Sequence, residues 1–247
     1  MLRLDKFLAD AGLGTRSEVK KYIKEQCVTV DGVPARQPQQ RIDPGQAQVC
    51  FRGEPVVYEE FSYYLFHKPA GAVTARSDKR AAAVMDFFPE EKREKLSPVG
   101  RLDKDTEGLL LITDDGALLH HLTSPAHHVE KTYYVVLDSA VSGEAVEQFA
   151  RGVEIGDARP TKPARLEILS MEEPFDPAFA GEGGAHAKLT ISEGRYHQVK
   201  RMFAAIGCEV LYLKRLSLGS LTLGNLKRGE YRRLTEAEVQ ALREAGA

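Results

Sequence analysis

The sequence predicts an α+β protein in two parts: a small α/β module, then a larger domain whose mixed, mainly antiparallel sheet is flanked by helices. Three observations predict it. Strand-like and helix-like segments follow one another in the second part without a regular repeat, unlike the strict order of a doubly wound fold. A short stretch, Tyr58 to Ser62, separates the parts, which puts the boundaries at 1–59 and 60–247. The length, 247 residues, lies between one and two domains at roughly 150 residues each.

The first module begins with Leu4, Phe7, Leu8 and Ala11, the spacing of one helix face. Gly12 and Gly14 end that helix, and Thr15 with Glu18 forms a capping box for a second one running towards Gln26. Val28 and Val30 alternate with polar neighbours, Asp31-Gly32 is a hairpin turn signal, and Gln48 to Phe51 is a further strand. In the second part the predicted strands are Tyr63–His67, Leu109–Thr113, Thr132–Leu137, Ala164–Leu169, Ala187–Ser192 and Val210–Leu213. The predicted helices are Gly116–Leu122, Gly143–Ala150, Tyr196–Ile206 and Glu236–Glu244, the last with a Thr235/Glu238 capping box. Gly207 suits a helix end, and the Pro-, Gly- and acid-rich stretch Met171 to Gly184 is expected to be a surface loop. Lys68-Pro69-Ala70-Gly71 is read as a turn, and Glu90 to Lys95 as a solvated helix face.

Composition excludes several classes. With 34 Lys plus Arg against 36 Asp plus Glu, the chain is not a uniformly basic polyelectrolyte. The three cysteines, Cys27, Cys50 and Cys208, form no CxxC pair, which argues against a zinc ribbon or a disulfide scaffold and suits a reducing compartment. No apolar run approaches the roughly 20 residues of a membrane span, and the N-terminal residues lack a secretory pattern. A cytoplasmic protein, monomeric and without membrane contact, is expected. No dinucleotide or P-loop fingerprint appears. His120-His121 and His127-His128 are adjacent pairs that do not converge on one ion, so no metal site is assigned.

Positive charge gathers in two places. Residues 1–24 hold Arg3, Lys6, Arg16, Lys20, Lys21 and Lys24, the last three on one broad side of the second helix. A second cluster contains Arg195, Lys200, Arg201, Lys214, Arg215, Lys227, Arg228, Arg232 and Arg233 against Glu209 and Glu230. There Val199, Met202, Phe203 and Ile206 form an apolar stripe, which turns His197, Lys200 and Arg201 away from the core. Two basic surfaces on a near-neutral chain favour a large anionic partner.

Between Pro98 and Asp115 a charged loop runs straight into an apolar strand. It offers Asp103, Asp105 and Glu107, any of which can serve as nucleophile or general base if a cation keeps it ionised. Physical chemistry alone does not choose among the three.

Gly100-Arg101-Leu102-Asp103, followed by Thr106-Glu107-Gly108-Leu109-Leu110, resembles the catalytic motif of pseudouridine synthases. Lys131-Thr132-Tyr133 resembles their second motif, and Glu193 to Phe203 (EGRYHQVKRMF) their third. Arg3 to Leu8 with Thr15-Arg16-Ser17 resembles an S4 RNA-binding domain, and Leu216 to Leu223 also fits the family. The resemblance covers nearly the whole chain in the family's order, without departure at the three motif cores. Within the family the combination resembles the RsuA group, which modifies small-subunit (16S) ribosomal RNA and makes its pseudouridine(516).

The resemblance implies an enzyme that isomerises uridine in RNA, needing no cofactor because the reaction has no net redox change. It implies Asp103 as the essential carboxylate, with attack on the sugar, attack on the base and removal of a ribose proton all open. It implies Tyr133 stacked on the target base and Arg195 paired with Asp103, where a guanidinium would keep the carboxylate ionised. Arg101, two residues before Asp103, shares its face in an extended segment and can hold a flipped nucleotide. Arg3, Lys6, Arg16, Lys20, Lys21, Lys24, His197, Lys200 and Arg201 are the remaining expected RNA contacts. The expected partner is 16S ribosomal RNA within a small-subunit assembly intermediate. Alternatives are a synthase acting on 23S ribosomal RNA, a non-catalytic ribosome-assembly factor, and a carboxylate-based hydrolase that would leave both basic surfaces idle.

Overall fold

Leu4, Phe7 and Leu8 lie on one face of the first helix, and all three are buried. The computed structural model describes residues 1–58, 60–124, 126–170 and 183–245, and the chain divides into units Met1–Phe61 and Ser62–Ala247. Residues 171–182 of the expected acidic loop lie outside the described residues.

In the first unit, β1 (Leu2–Arg3) leads into α1 (Leu4–Asp10), and Ala11 caps α1 rather than extending its face. Next come α2 (Arg16–Lys24), β2 (Val28–Val30), β3 (Val33–Pro34), β4 (Arg41–Ile42), β5 (Val49–Phe51) and β6 (Glu54–Pro55). The Thr15/Glu18 capping box forms as expected: the Thr15 hydroxyl accepts from the Glu18 N–H, and the Glu18 carboxylate accepts from the Thr15 N–H at 2.7 Å. Such a cap contributes about 1 kcal/mol. Asp31 (φ +52°) and Gly32 (φ +78°) are both left-handed, which is what a two-residue hairpin turn requires between β2 and β3. The sheet β3-β2-β5-β6 packs with α1 and α2 around Leu4, Phe7, Leu8, Val19, Ile23, Val28 and Val49.

The second unit runs β7 (Tyr63–Lys68), a 3-10 turn (Val84–Phe87), α3 (Glu90–Arg93), β8 (Ser97–Pro98), β9 (Glu107–Thr113), α4 (Gly116–Thr123), β10 (Lys131–Leu137), α5 (Gly143–Arg151), β11 (Arg165–Leu169), β12 (Ala185–Ile191), α6 (Gln198–Ala204), β13 (Val210–Leu218), β14 (Leu221–Thr222), β15 (Tyr231–Arg233) and α7 (Glu236–Glu244). The strand order is β11-β12-β10-β13-β9-β7-β15, with β14 on β13 and β8 on β9. All pairs are antiparallel except β13 with β9. The sheet is therefore mixed and mainly antiparallel.

The unbroken apolar run of β9 follows from burial on both faces. Leu110 and Ile112 join one core with Phe149, Met202 and Phe203 from α5 and α6. Leu109 and Leu111 join a second core with Leu118, Leu122 and Leu242 from α4 and α7. Each such side chain contributes roughly 1.5–3 kcal/mol when fully buried.

Most expected elements shift by one or two residues at an end, and two differ more. Val210–Leu213 is the start of a strand that continues to Leu218. The helix expected over Tyr196–Ile206 is α6, Gln198–Ala204; it starts after His197, whose left-handed conformation (φ +48°) keeps Tyr196 and His197 out of it. The parallel contact of β9 and β13 is unusually close. At Gly108 (φ +113°) an added Cβ would lie 2.2 Å from the Arg215 carbonyl oxygen, so only glycine fits.

Candidate active site

The loop that precedes β9 alternates inward and outward. Leu102 is buried in the core, and its backbone is clamped by Thr74, whose hydroxyl donates to the Leu102 carbonyl (2.7 Å) and accepts from its N–H (3.1 Å). Its neighbours Arg101 and Asp103 both line a cleft of about 780 Å³ within the second unit. Extended geometry thus places these two side chains on one side, as their spacing implies. The Thr106 N–H donates to the Asp103 carbonyl (3.1 Å) and turns the chain into β9.

Lys68, read from sequence as part of a turn, holds this loop from beneath. Its side chain is fully buried at the end of β7. Its Nζ donates to the carbonyls of Pro69 (3.0 Å), Lys104 (3.2 Å) and Thr106 (2.8 Å). Burial pushes the amine down to about 8, with the charges of Asp105, Glu107 and Asp103 partly opposing. An apolar run ending in Lys68-Pro69 carried the signal, because a lysine closing a buried strand needs internal acceptors.

Asp103 is about one-third exposed. Its nearest basic groups are His197 Nε2 at 3.4 Å and Lys200 Nζ at 4.0 Å. Lys200 also grips Asp105 at 2.6 and 2.7 Å. Burial raises the Asp105 carboxyl, but the Lys200 hydrogen bonds and charge outweigh it, leaving Asp105 below the usual carboxylate value.

Arg195 does not pair with Asp103 here, which corrects the pairing that the family resemblance implies. It donates to the carbonyls of Arg159 and Pro160 (2.7 Å each) and to Glu193 (3.2 Å), with Asp157 at 3.4 Å. Four acceptors in the 157–160 segment and at Glu193 therefore outcompete a single carboxylate. Arg201, also expected to meet RNA, is tied to Asp157 (2.5 Å) and to the carbonyls of Ile155 and Tyr196. Arg201 and Arg195 together hold the Asp157 carboxyl below its ordinary value, Arg201 through the largest contribution. Arg3 is likewise engaged, with a two-pronged contact on buried Asp5 (3.0 and 2.7 Å).

Tyr133 lies on β10, nearly buried, and lines the same cleft as Asp103, Arg195, His197 and Lys200. Tyr133 faces Arg215 across the β10–β13 pair, where a bulge at Thr132/Tyr133 re-aims the strand. Exposed Tyr196 stacks on His197 (centroids 3.8 Å, 18°) at the cleft. In the first unit, Lys6, Arg16, Lys20, Lys21 and Lys24 are all exposed. Glu107, which does not line the cleft, accepts from Tyr212 (2.7 Å) and Arg228 (2.8 Å), so this carboxylate is a fixture of the strand rather than a free base. One histidine of each pair meets the other: the His121 and His127 rings lie with centroids 4.1 Å apart, tilted at 42°, and His121 Nε2 contacts the Ala245 carbonyl oxygen at 2.7 Å.

The family model described as RNA pseudouridylate synthase matches residues 62–205, and that of the S4 domain matches residues 2–47. The chain is 47% identical to the uncharacterized RNA pseudouridine synthase YtzG of Bacillus subtilis, with both chains covered in full. It is 41% identical to ribosomal small subunit pseudouridine synthase A of Escherichia coli, over 98% of this chain and 100% of that one. A crystal structure of a pseudouridylate synthase aligns with a TM-score of 0.66 at 40% identity, over 98% of this chain and all of the other. With these matches laid over the three motifs and the cleft they line, the chain belongs to the RNA pseudouridylate synthase family and carries an S4 domain ahead of its synthase domain.

Proposed function

We propose that this enzyme isomerises one specific uridine of small-subunit (16S) ribosomal RNA, at the position called pseudouridine(516), with Asp103 as the essential carboxylate. The observation that carries the reading is the single cleft that gathers Asp103, Tyr133 and Arg195 from three separate motifs. The substrate assignment rests on relatives of full-length similarity that are named ribosomal small subunit pseudouridine synthase A.

In the reaction the bond from the ribose to the base nitrogen breaks, and a bond to a base carbon forms. That carbon loses a proton and the freed nitrogen gains one, so no atom is added. Asp103 reaches the reacting nucleotide, with His197 Nε2 at 3.4 Å and Lys200 Nζ at 4.0 Å beside it. Tyr133 stacks on the base and assists proton transfer at the carbon. Arg195 ties Glu193, which lines the cleft, to the 157–160 segment. The target must leave its stack to enter, and Arg101, exposed beside Asp103, fills the gap or holds the flipped nucleotide. The S4 unit adds phosphate contacts through Lys6, Arg16, Lys20, Lys21 and Lys24. The enzyme acts in the cytoplasm, as a monomer, on a small-subunit assembly intermediate.

The test is pseudouridine formation by purified enzyme on 16S and 23S transcripts and on small-subunit particles, with Asp103→Asn alongside. One pseudouridine in 16S RNA, absent with Asp103→Asn, is the expected result. Product in 23S RNA alone overturns the substrate, and product made by Asp103→Asn overturns the carboxylate.

A further inference from the structure

Lys131 and Arg215 are two cations that the reaction just described does not use. Both line the cleft. Lys131 opens β10, two residues before Tyr133 and on the same face, and Arg215 sits opposite Tyr133 on β13. Arg215 is 3% exposed. Its Nε donates to the Leu109 carbonyl (2.7 Å), but its Nη2 is buried without a hydrogen-bond partner among the described residues. A buried guanidinium nitrogen left without an acceptor is costly and calls for an explanation. Lys131 Nζ uses one of its three donors on the Val129 carbonyl (2.6 Å). Neither side chain forms a salt bridge among the described residues.

The charged groups on the elements around Lys131 are Arg215 on β13, Lys162 before β11 and Glu193 beyond β12. Glu193 is occupied by Arg195, Gln198 and the Lys162 N–H. Burial first, and then the like charges of Arg215 and Lys162, lower the Lys131 amine to about 8. Two cations that line one cleft and form no salt bridge among the described residues make an anion seat. Beside the tyrosine that we place on the target base, the anion within reach is a phosphodiester of the same RNA strand.

We propose that Lys131 and Arg215 form a phosphate seat that binds the RNA backbone at the flipped nucleotide, fixing its sugar relative to Asp103. The seat deepens the function proposed above and rests on it. Phosphate supplies the countercharge that Lys131 and Arg215, both lining the cleft, do not find in a salt bridge among the described residues.

Lys131 is tested first, because it is only partly buried and its replacement leaves Arg215 packing intact. Binding of a 16S transcript to Lys131→Gln is expected to weaken about tenfold, with the slope of log K against log salt falling by roughly 0.7–0.9, one phosphate contact. Lys131→Arg is expected to restore both. A pH series gives a readout that a merely structural role would not move. Wild-type affinity should fall as the pH rises from 7 to 9, because the amine loses its charge near 8, while Lys131→Arg should stay flat. An unchanged salt slope in Lys131→Gln, or the same pH profile in wild type and Lys131→Arg, overturns the seat. If Lys131→Gln does not fold, the wild-type and Lys131→Arg pH series decides alone. Pseudouridine formation by the wild type on the same transcript tests the function separately, so the two failures are distinguishable.

Discussion

Two basic regions of this enzyme look alike in sequence and behave differently in structure. On α2, Lys20, Lys21 and Lys24 stand exposed and form no ion pair among the described residues. Around α6, Arg195, Lys200 and Arg201 are each bound to carboxylates or carbonyls, chiefly Asp157, Glu193, Asp103 and Asp105. The first region is an electrostatic surface whose charges are available to phosphate. The second is scaffold, in which charge is spent on shaping a cleft. A lysine or arginine therefore signals a nucleic-acid contact only when its partners are known, and partners 35 to 95 residues away in sequence are not visible in a local pattern.

The scaffold half of the comparison breaks most severely at Gly108. Gly108→Ala drives a Cβ into the Arg215 backbone at a left-handed φ, and should cost at least ~3 kcal/mol. For a unit of this size that lowers the melting temperature by roughly 6–12 °C. A calorimetric scan checks it, and a wild-type value would mean that β9 and β13 do not approach as described.

Lys68→Met is next. It removes the donor for three carbonyls, two of them in the loop that carries Asp103, and should cost about 2–3 kcal/mol. The sign of its pH dependence is fixed. The folded amine titrates near 8, below its ordinary 10.5, so the unfolded chain binds more protons between those values. The penalty for charging Lys68 is complete below 8 and is relieved as the pH rises towards 10.5. Wild type should therefore gain stability relative to Lys68→Met across that window, measured by urea denaturation at each pH.

Asp157→Asn sharpens the comparison by loosening Arg195 and Arg201 together without touching the cleft's own carboxylate. We expect kcat/KM to fall about tenfold or more through misplacement, with a smaller change in melting temperature. Because the Asp157 carboxyl lies below its ordinary value, its contribution is complete above that value and is lost as the pH falls through the folded one. An acid titration of activity checks the direction. The exposed half gives the smallest structural effect. Replacing Lys20, Lys21 and Lys24 by Gln should leave the melting temperature within about one degree while lowering the salt slope of RNA binding by roughly 2–3. If that variant binds as wild type does, the α2 surface is only solvated.

The local grammar of the fold was legible in the sequence. Thr15/Glu18 and Thr235/Glu238 make the capping boxes their spacing implies. Asp31-Gly32 makes the expected hairpin, and Val199, Met202 and Phe203 are the buried face of α6. The site was legible as membership: motif residues far apart in sequence do line one cleft. Pairwise contacts were not. Arg195 turns to the 157–160 segment because acceptors there outnumber those at Asp103, and no motif encodes that competition. Lys68 was missed because its acceptors are backbone carbonyls, which any sequence supplies. His197 delays the start of its helix through a left-handed φ that periodicity does not report.

The central claim is that Asp103, in the cleft of the synthase domain, isomerises a uridine of small-subunit ribosomal RNA. Pseudouridine mapping of ribosomal RNA from cells lacking this protein, complemented with wild type or with Asp103→Asn, tests it most directly. The account predicts that one small-subunit site disappears, returns with wild type and stays absent with Asp103→Asn. A small-subunit profile that is unchanged by the deletion, or a site restored by Asp103→Asn, would contradict it.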